Sequence, residues 1–146
     1  MAMEVAERNH DKEERIFIGI KENGIIIAEI IANLLKDIYP GKTSILWLSM
    51  DKKKPGEITL SEKKDFSNSN IILVDDVANS GRTMFYALQP LLEHYPRQVE
   101  TLALLERTHK KFPIHLDYVG HSVATTQDEM IVVKVSEGAV EAAFFK

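Results

Sequence analysis

The stretch IILVDDVANSGRT, residues 71–83, constrains this chain more than any other. Four apolar residues run into paired aspartates, Asp75 and Asp76. A small polar turn of Ala78, Asn79, Ser80 and Gly81 follows, and Arg82 opens a segment with helical spacing. A short apolar run bounded by such a turn reads as a buried strand. In an open parallel sheet, ligands bind outside the carboxyl ends of the strands. The carboxylates and the turn then share one such edge. Paired carboxylates there either accept hydrogen bonds from vicinal hydroxyls or hold a divalent ion. Small residues let successive N–H groups turn inward, and Ser80 and Thr83 add hydroxyls, a combination suited to phosphate. Carboxylates on one side and an anion nest on the other measure out a ribose 5-phosphate. The patterns GxxxxGK[ST] and GxGxxG are absent, which excludes a Walker loop and a dinucleotide loop.

The remainder reads as strands and helices around that edge. Residues 16–20 form a strand, and KENG at 21–24 breaks it. Residues 25–39 place Ile27, Ile30, Ile31, Leu34 and Leu35 at helical spacing until Pro40-Gly41 ends the run. Residues 43–48 are a second strand, giving a β-α-β unit of about thirty residues and a parallel pair with a right-handed crossover. Residues 49–70 combine a charged turn at 51–56 with a weak strand at 57–60. They read as a surface hairpin, or as an arm near the active edge or on another subunit. Residues 71–74 are the third strand. Residues 82–95 are a helix with Phe85, Leu88, Leu91 and Leu92 as its apolar stripe, stopped at Pro96. Further strands are expected at 98–105, within 114–119 and at 130–135, with a loop over 120–128. Residues 139–144 are apolar enough to pack on the body or a partner. The pattern predicts an α/β fold, a mostly parallel twisted sheet flanked by helices, Rossmann-like. One domain spans 16–146, and residues 1–15 form a flexible or partly helical tail.

Bulk properties narrow the classes. Lys plus Arg number 18 against 22 Asp plus Glu, a formal charge of −4, which argues against general affinity for nucleic acid. Without cysteine there is no disulfide, thiolate or cysteine–metal chemistry. No apolar run approaches a membrane span and the first residues lack a signal-type core, so cytoplasm is the plain reading. The five histidines form no HExxH pattern.

Residues 71–83 resemble the signature of the type I phosphoribosyltransferases, which bind 5-phosphoribosyl 1-pyrophosphate (PRPP). GIKENG at 19–24 resembles that family's pyrophosphate loop. ALLERTHKKFPIHLDYVG at 103–120 resembles the pyrimidine operon regulator and uracil phosphoribosyltransferase. The resemblance covers residues 16–135, with the middle arm matching poorly. It implies roles. Asp75 and Asp76 contact the ribose hydroxyls, directly or through Mg²⁺ and water, and Asp117 contacts the metal or orients the base loop. Ala78, Asn79, Ser80, Gly81, Arg82 and Thr83 form the 5′-phosphate loop. Lys21, Glu22, Asn23, Gly24 and Arg107 receive pyrophosphate, with a cis peptide matched to Ile20–Lys21. Tyr118 and Val119 stack on and hydrogen-bond the base, Val119 through its main chain. Asn23 departs from the regulator pattern, where an arginine is common. The implied reaction transfers phosphoribose from PRPP to a nucleobase in a dimer. The short arm and short N-terminus keep open a catalytically weak regulator that binds PRPP or a nucleotide. Lys52, Lys53, Lys54, Lys63, Lys64, Lys110 and Lys111 leave RNA as a minor alternative.

Overall fold

The computed structural model describes residues 1–146 apart from Lys12, Glu13, Lys52, Pro55 and Gln127, so part of the charged turn at 51–56 lies outside the described residues. The elements in chain order are α1 (Ala2–Arg8), β1 (Glu14–Ile20), α2 (Asn23–Leu35), β2 (Lys42–Met50), β3 (Ile58–Leu60), β4 (Asn70–Ala78), α3 (Arg82–Ala87), α4 (Gln89–Leu92), β5 (Gln98–Arg107), β6 (Tyr118–Val123), β7 (Ile131–Ser136) and β8 (Ala139–Phe145). A six-stranded sheet has the order β3-β2-β1-β4-β5-β6. Its pairs are parallel except β2–β3, which is antiparallel. The chain runs outward from β1 to β2 and then returns to β4 on the other side of β1. The order therefore reverses between β1 and β4, and their carboxyl ends open a crevice there.

Alternation along the strands divides the core. Phe17, Ile72, Val74, Leu102 and Tyr118 face α1 and α2, meeting Val5, Ile27, Ala28, Ile31 and Leu35. Ile16, Ile18, Ile20, Leu46, Leu48, Ile71 and Leu73 face the other way, meeting Met84, Ala87, Leu91 and Phe66. Both faces of the central strands are covered, as parallel sheets require. Among the described residues of 49–70, β3 pairs antiparallel with β2, and buried Phe66 anchors the following connection.

Several boundaries differ from the periodicity. The residues 82–95 are two short helices rather than one. Pro90 lacks an N–H and its ring opposes the carbonyl four residues back, so the ladder breaks at Leu88. The buried stripe is then Met84, Ala87 and Leu91, leaving Phe85 and Leu92 exposed. The sixth strand begins at Tyr118 rather than 114, and part of the expected loop at 120–128 belongs to it. Residues 130–135 do not join the main sheet. β7 pairs with β8 in a separate antiparallel hairpin. Ser136 pairs with Ala139 across Glu137 (φ 49°) and Gly138 (φ 75°), the two positive φ values of a type I′ turn. None of the helices among the described residues is long and apolar enough to cross a membrane.

The first residues fold as α1, whose Val5 is buried against the sheet. Arg8 lies 5.1 Å from the Tyr118 ring centroid, and Asn9 Nδ2 donates to the Tyr118 hydroxyl at 3.0 Å. That hydroxyl donates in turn to Glu100 Oε2 at 2.7 Å. Burial first, then the Glu100 carboxylate, raises the Tyr118 phenol above the ordinary tyrosine range. A group raised in the folded state lends its full stability below the unfolded pKa and loses it as pH climbs toward the folded value. Stability should therefore fall above about pH 10. Urea midpoints measured from about pH 9 to 11 should drop less steeply in Tyr118→Phe than in the parent. A residual slope should persist from Tyr39, which burial also raises.

Candidate active site

Two loops meet where the strand order reverses. The first leaves β1 at Lys21 and Glu22. α2 begins at Asn23, so the expected four-residue break is only two residues long before the helix. The cis peptide falls at Lys21–Glu22, one bond later than the matched position. Lys21 N–H donates to the Leu48 carbonyl at 2.8 Å, tying the loop to β2. Its ammonium lies 3.7 Å from the Trp47 ring centroid. Gly24 permits the close approach of this turn to β4: a Cβ there would sit 2.5 Å from the Val74 carbonyl oxygen.

The second loop leaves β4. That strand does not stop at Val74; it continues through both aspartates to Ala78. Asp75 is 8% exposed and Asp76 is half-buried. Asp75 Oδ1 accepts the Asp76 N–H at 2.9 Å, and Asp76 Oδ1 accepts the Val77 N–H at 2.7 Å. Asp76 Oδ2 accepts Asn23 Nδ2 at 2.7 Å, which joins the two loops. Gly81 then adopts φ 82°, a left-handed conformation that favours glycine. The Ser80 carbonyl accepts N–H groups from Lys111 (3.0 Å) and Phe112 (3.1 Å), so the 108–114 segment braces the turn from outside.

Lys21, Glu22, Asn23, Asp75 and Asp76 line one cleft of about 340 Å³ together with Ser49 and Met50. Asp75 also borders a small cradle of about 20 Å³ formed by Val77, Ala78, Asn79, Ser80, Gly81, Arg82, Thr83 and Met84. The two hollows share the Asp75 wall. A larger groove, about 800 Å³, lies elsewhere between β3, the 62–65 connection and α4, and contains none of these loops.

Three expected side chains are not brought to the cleft: those of Tyr118, Asp117 and Arg107. The Tyr118 side chain is fully buried under α1 on the amino-terminal half of the sheet, so it offers no ring to a base. The Val119 side chain faces the opposite core and its backbone pairs with Ala103 on β5, whereas the contact expected of it is through main chain. Asp117 Oδ2 is taken by the Thr101 N–H at 2.8 Å, two strands away from Asp75 and Asp76. Among the described residues no cluster of three or more histidines or carboxylates forms a metal cage. Arg107 donates through Nε to Thr125 Oγ1 (2.7 Å) and through a terminal nitrogen to the Thr126 carbonyl (2.9 Å), fixing the loop after β6.

Two features escape a reading by motif. β7 lies against the site: the Val133 carbonyl accepts Asn23 Nδ2 at 3.1 Å, and Ile131 pairs with the Asn79 side chain. Both asparagines look like turn residues in sequence, and their partners stand over fifty positions away. The detectable signal is Gly138 in a two-residue break between two apolar runs, since glycine supplies a positive φ that a tight hairpin needs.

The profile of the phosphoribosyl transferase domain matches residues 2–138. The chain belongs to that family. Bifunctional protein PyrR of Streptococcus pneumoniae (strain CGSP14) is 34% identical over 139 residues, covering 92% of this chain and 80% of the relative. A hypoxanthine-guanine phosphoribosyltransferase from Bacillus anthracis superposes with TM-score 0.69 at 23% identity, covering 90% of this chain and 75% of that one. The hypoxanthine phosphoribosyltransferase of Trypanosoma cruzi gives TM-score 0.75 at 15% identity, covering 84% and 73%. These likenesses confirm the mostly parallel sheet with flanking helices. Phosphoribosyl transfer from PRPP to a base, with release of pyrophosphate, is the activity of this phosphoribosyltransferase.

Proposed function

We propose that Asp75 and Asp76 hold the ribose hydroxyls, that Ala78, Asn79, Ser80, Gly81, Arg82 and Thr83 cradle the 5′-phosphate, and that Lys21, Glu22, Asn23 and Gly24 border the pyrophosphate. One observation carries the reading. The carboxylates, the anion turn and the first loop form adjoining hollows at the sheet's switch point, with Asp75 common to both. The base then meets β7, which lies beside Asp76, rather than the buried ring of Tyr118.

The donor set suits Mg²⁺ of the kind that arrives with a diphosphate. Such an ion keeps several waters and takes one or two protein carboxylates. Asp75 and Asp76 would hold it, and it would neutralise charge on the leaving pyrophosphate. The chain's own residues do the rest. A base nitrogen bonds to C1 as the C1–O bond breaks; the C1–O electron pair leaves with pyrophosphate, and the proton of the base N–H passes to solvent. The ribose ring becomes cationic, and the two carboxylates beside it favour that charge. The turn and the first loop supply orientation, with no covalent nucleophile required. The same reading carries a cytoplasmic setting, where a highly charged sugar phosphate that does not cross membranes is met. It also carries a homodimer, which sedimentation equilibrium tests directly.

Calorimetric titration with Mg²⁺–PRPP should show saturable binding by the intact chain. Asp75→Asn/Asp76→Asn should weaken it roughly 100-fold or more, since hydrogen bonds to charged groups contribute about 1.5–3 kcal/mol each and two such groups are lost. No heat from the intact chain would sink the assignment. A weaker catalyst acting as a nucleotide-binding regulator is favoured by one feature. Lys21 is the single basic residue lining the described cleft, against three carboxylates. Turnover assays with uracil, hypoxanthine, guanine and xanthine separate the two.

A further inference from the structure

Asn79 turns its side chain to the carboxy-terminal hairpin. The Ile131 N–H donates to Asn79 Oδ1 at 2.9 Å, and Asn79 Nδ2 donates to the Ile131 carbonyl at 3.0 Å. This two-way exchange is what a neighbouring strand offers to a backbone residue. β8 occupies the other edge of β7. There Met130 and Lys146 exchange N–H···O bonds at 3.1 and 2.9 Å, and Ile131 faces Phe145. The backbone groups of Ile131 therefore point away from β8, and the Asn79 amide completes that edge. Two residues on, Val133 is held by Asn23, whose nitrogen also reaches Asp76. Ile131 and Val133 are buried, whereas β8 is exposed throughout. The hairpin is thus docked through one edge of β7.

We propose that Asn79 is a positioning residue: its amide sets the distance between the β7 wall and the 78–83 turn, and so the seat of the base relative to the phosphoribosyl group. What the wall meets rests on the reading above; the clamp itself does not. The geometry demands one donor and one acceptor in a fixed plane. An aspartate still accepts the Ile131 N–H but presents a second anionic oxygen to the Ile131 carbonyl. Protonation of that oxygen turns it into a donor and restores both bonds. Asn79→Ala removes both without adding charge.

In Asn79→Asp the kcat/KM for the accepted base should fall tenfold or more through KM, a larger loss than that of Mg²⁺–PRPP affinity, which also weakens because Asn79 borders the phosphate cradle. The loss should recover between about pH 6 and 4 as the carboxyl protonates. Neither the parent nor Asn79→Ala should show that recovery. Hydrogen exchange at the Ile131 amide, corrected for the intrinsic rate, should be fast in Asn79→Asp at neutral pH and slow again on acidification. Parent-like KM and Ile131 protection in both variants would overturn the proposal. So would a loss shared equally by PRPP affinity, which would mark a general disturbance of the turn. If the parent itself binds no PRPP, the functional reading fails, while the exchange experiment still decides the clamp.

Discussion

Alanine at position 24 should cost the protein most of its affinity for PRPP. The added Cβ would lie 2.5 Å from the Val74 carbonyl oxygen and 3.3 Å from the Asp75 Cα. Both obstacles are backbone of a central strand, so no side chain can rotate out of the way. The first turn of α2 must therefore move off the end of β4. That movement separates Asn23 from Asp76, now joined at 2.7 Å, and widens the cleft the two loops enclose. Forcing an extra methyl into a packed contact destabilises by about 1–3 kcal/mol. A shift of this size lowers the melting temperature by several degrees without unfolding the domain. Binding should suffer more, because a misplacement of about 1 Å at a positioned site is expensive. Calorimetry with Mg²⁺–PRPP should show affinity reduced at least tenfold, with the circular dichroism of the parent retained. Gly56→Ala is the control, since a Cβ there meets nothing within 4 Å. Equal affinities in Gly24→Ala and the parent would show that the loop tolerates displacement.

The central site was legible because its chemistry is local in sequence. Asp75, Asp76 and the turn to Thr83 occupy consecutive positions, and the apolar run before them could be little but a strand. The loop at Lys21 was legible for a related reason: a short strand ending in KENG before a helical run puts the break at the sheet edge. Its details were less readable. Gly24 looked like part of the break, yet it is already helical, because its missing side chain lets α2 start against β4. Tyr118 and Arg107 misled because a residue's direction from a strand is set by register, not by neighbours in sequence. Tyr118 pairs with Leu102 and shares its face, which belongs to the α1–α2 core. Pro90 carried a plain signal, but the apolar spacing around it favoured a single helix. The β7–β8 hairpin stayed hidden in its placement. Its strands were visible as apolar runs, whereas its docking depends on two asparagine amides whose partners are far along the chain.

The second large effect concerns stability and lies far from the cleft. Arg15 is 0% exposed near the amino-terminal end of β1, and its guanidinium stands 3.9 Å from Glu100 Oε1. That contact is an ion pair at long range. The guanidinium nitrogens have no hydrogen-bond partner among the described residues. Burial lowers the Arg15 pKa, and Glu100 opposes that shift, which identifies Glu100 as its principal electrostatic support. Removing one charge from a buried pair costs about 3–5 kcal/mol, because the remaining ion keeps its desolvation penalty and loses its partner. Glu100→Gln should therefore lower the urea-derived stability by roughly that amount, a large share of the 5–15 kcal/mol typical of a domain. Replacing the charges together should behave differently. Arg15→Met/Glu100→Leu/Tyr118→Phe removes both ions and the hydroxyl that donates to Glu100, while Asn9 Nδ2 keeps its bond to the Val5 carbonyl at 2.8 Å. Apolar replacement of a buried ion pair is often neutral or stabilising by about 1–4 kcal/mol. The triple variant should thus be at least as stable as the parent, with an unchanged denaturant slope. Turnover per folded molecule should also be preserved, since Arg15 is about five strand residues, or ~16 Å, from the edge that carries the aspartates. A triple variant as unstable as Glu100→Gln would show instead that the charges provide structure that apolar packing cannot replace.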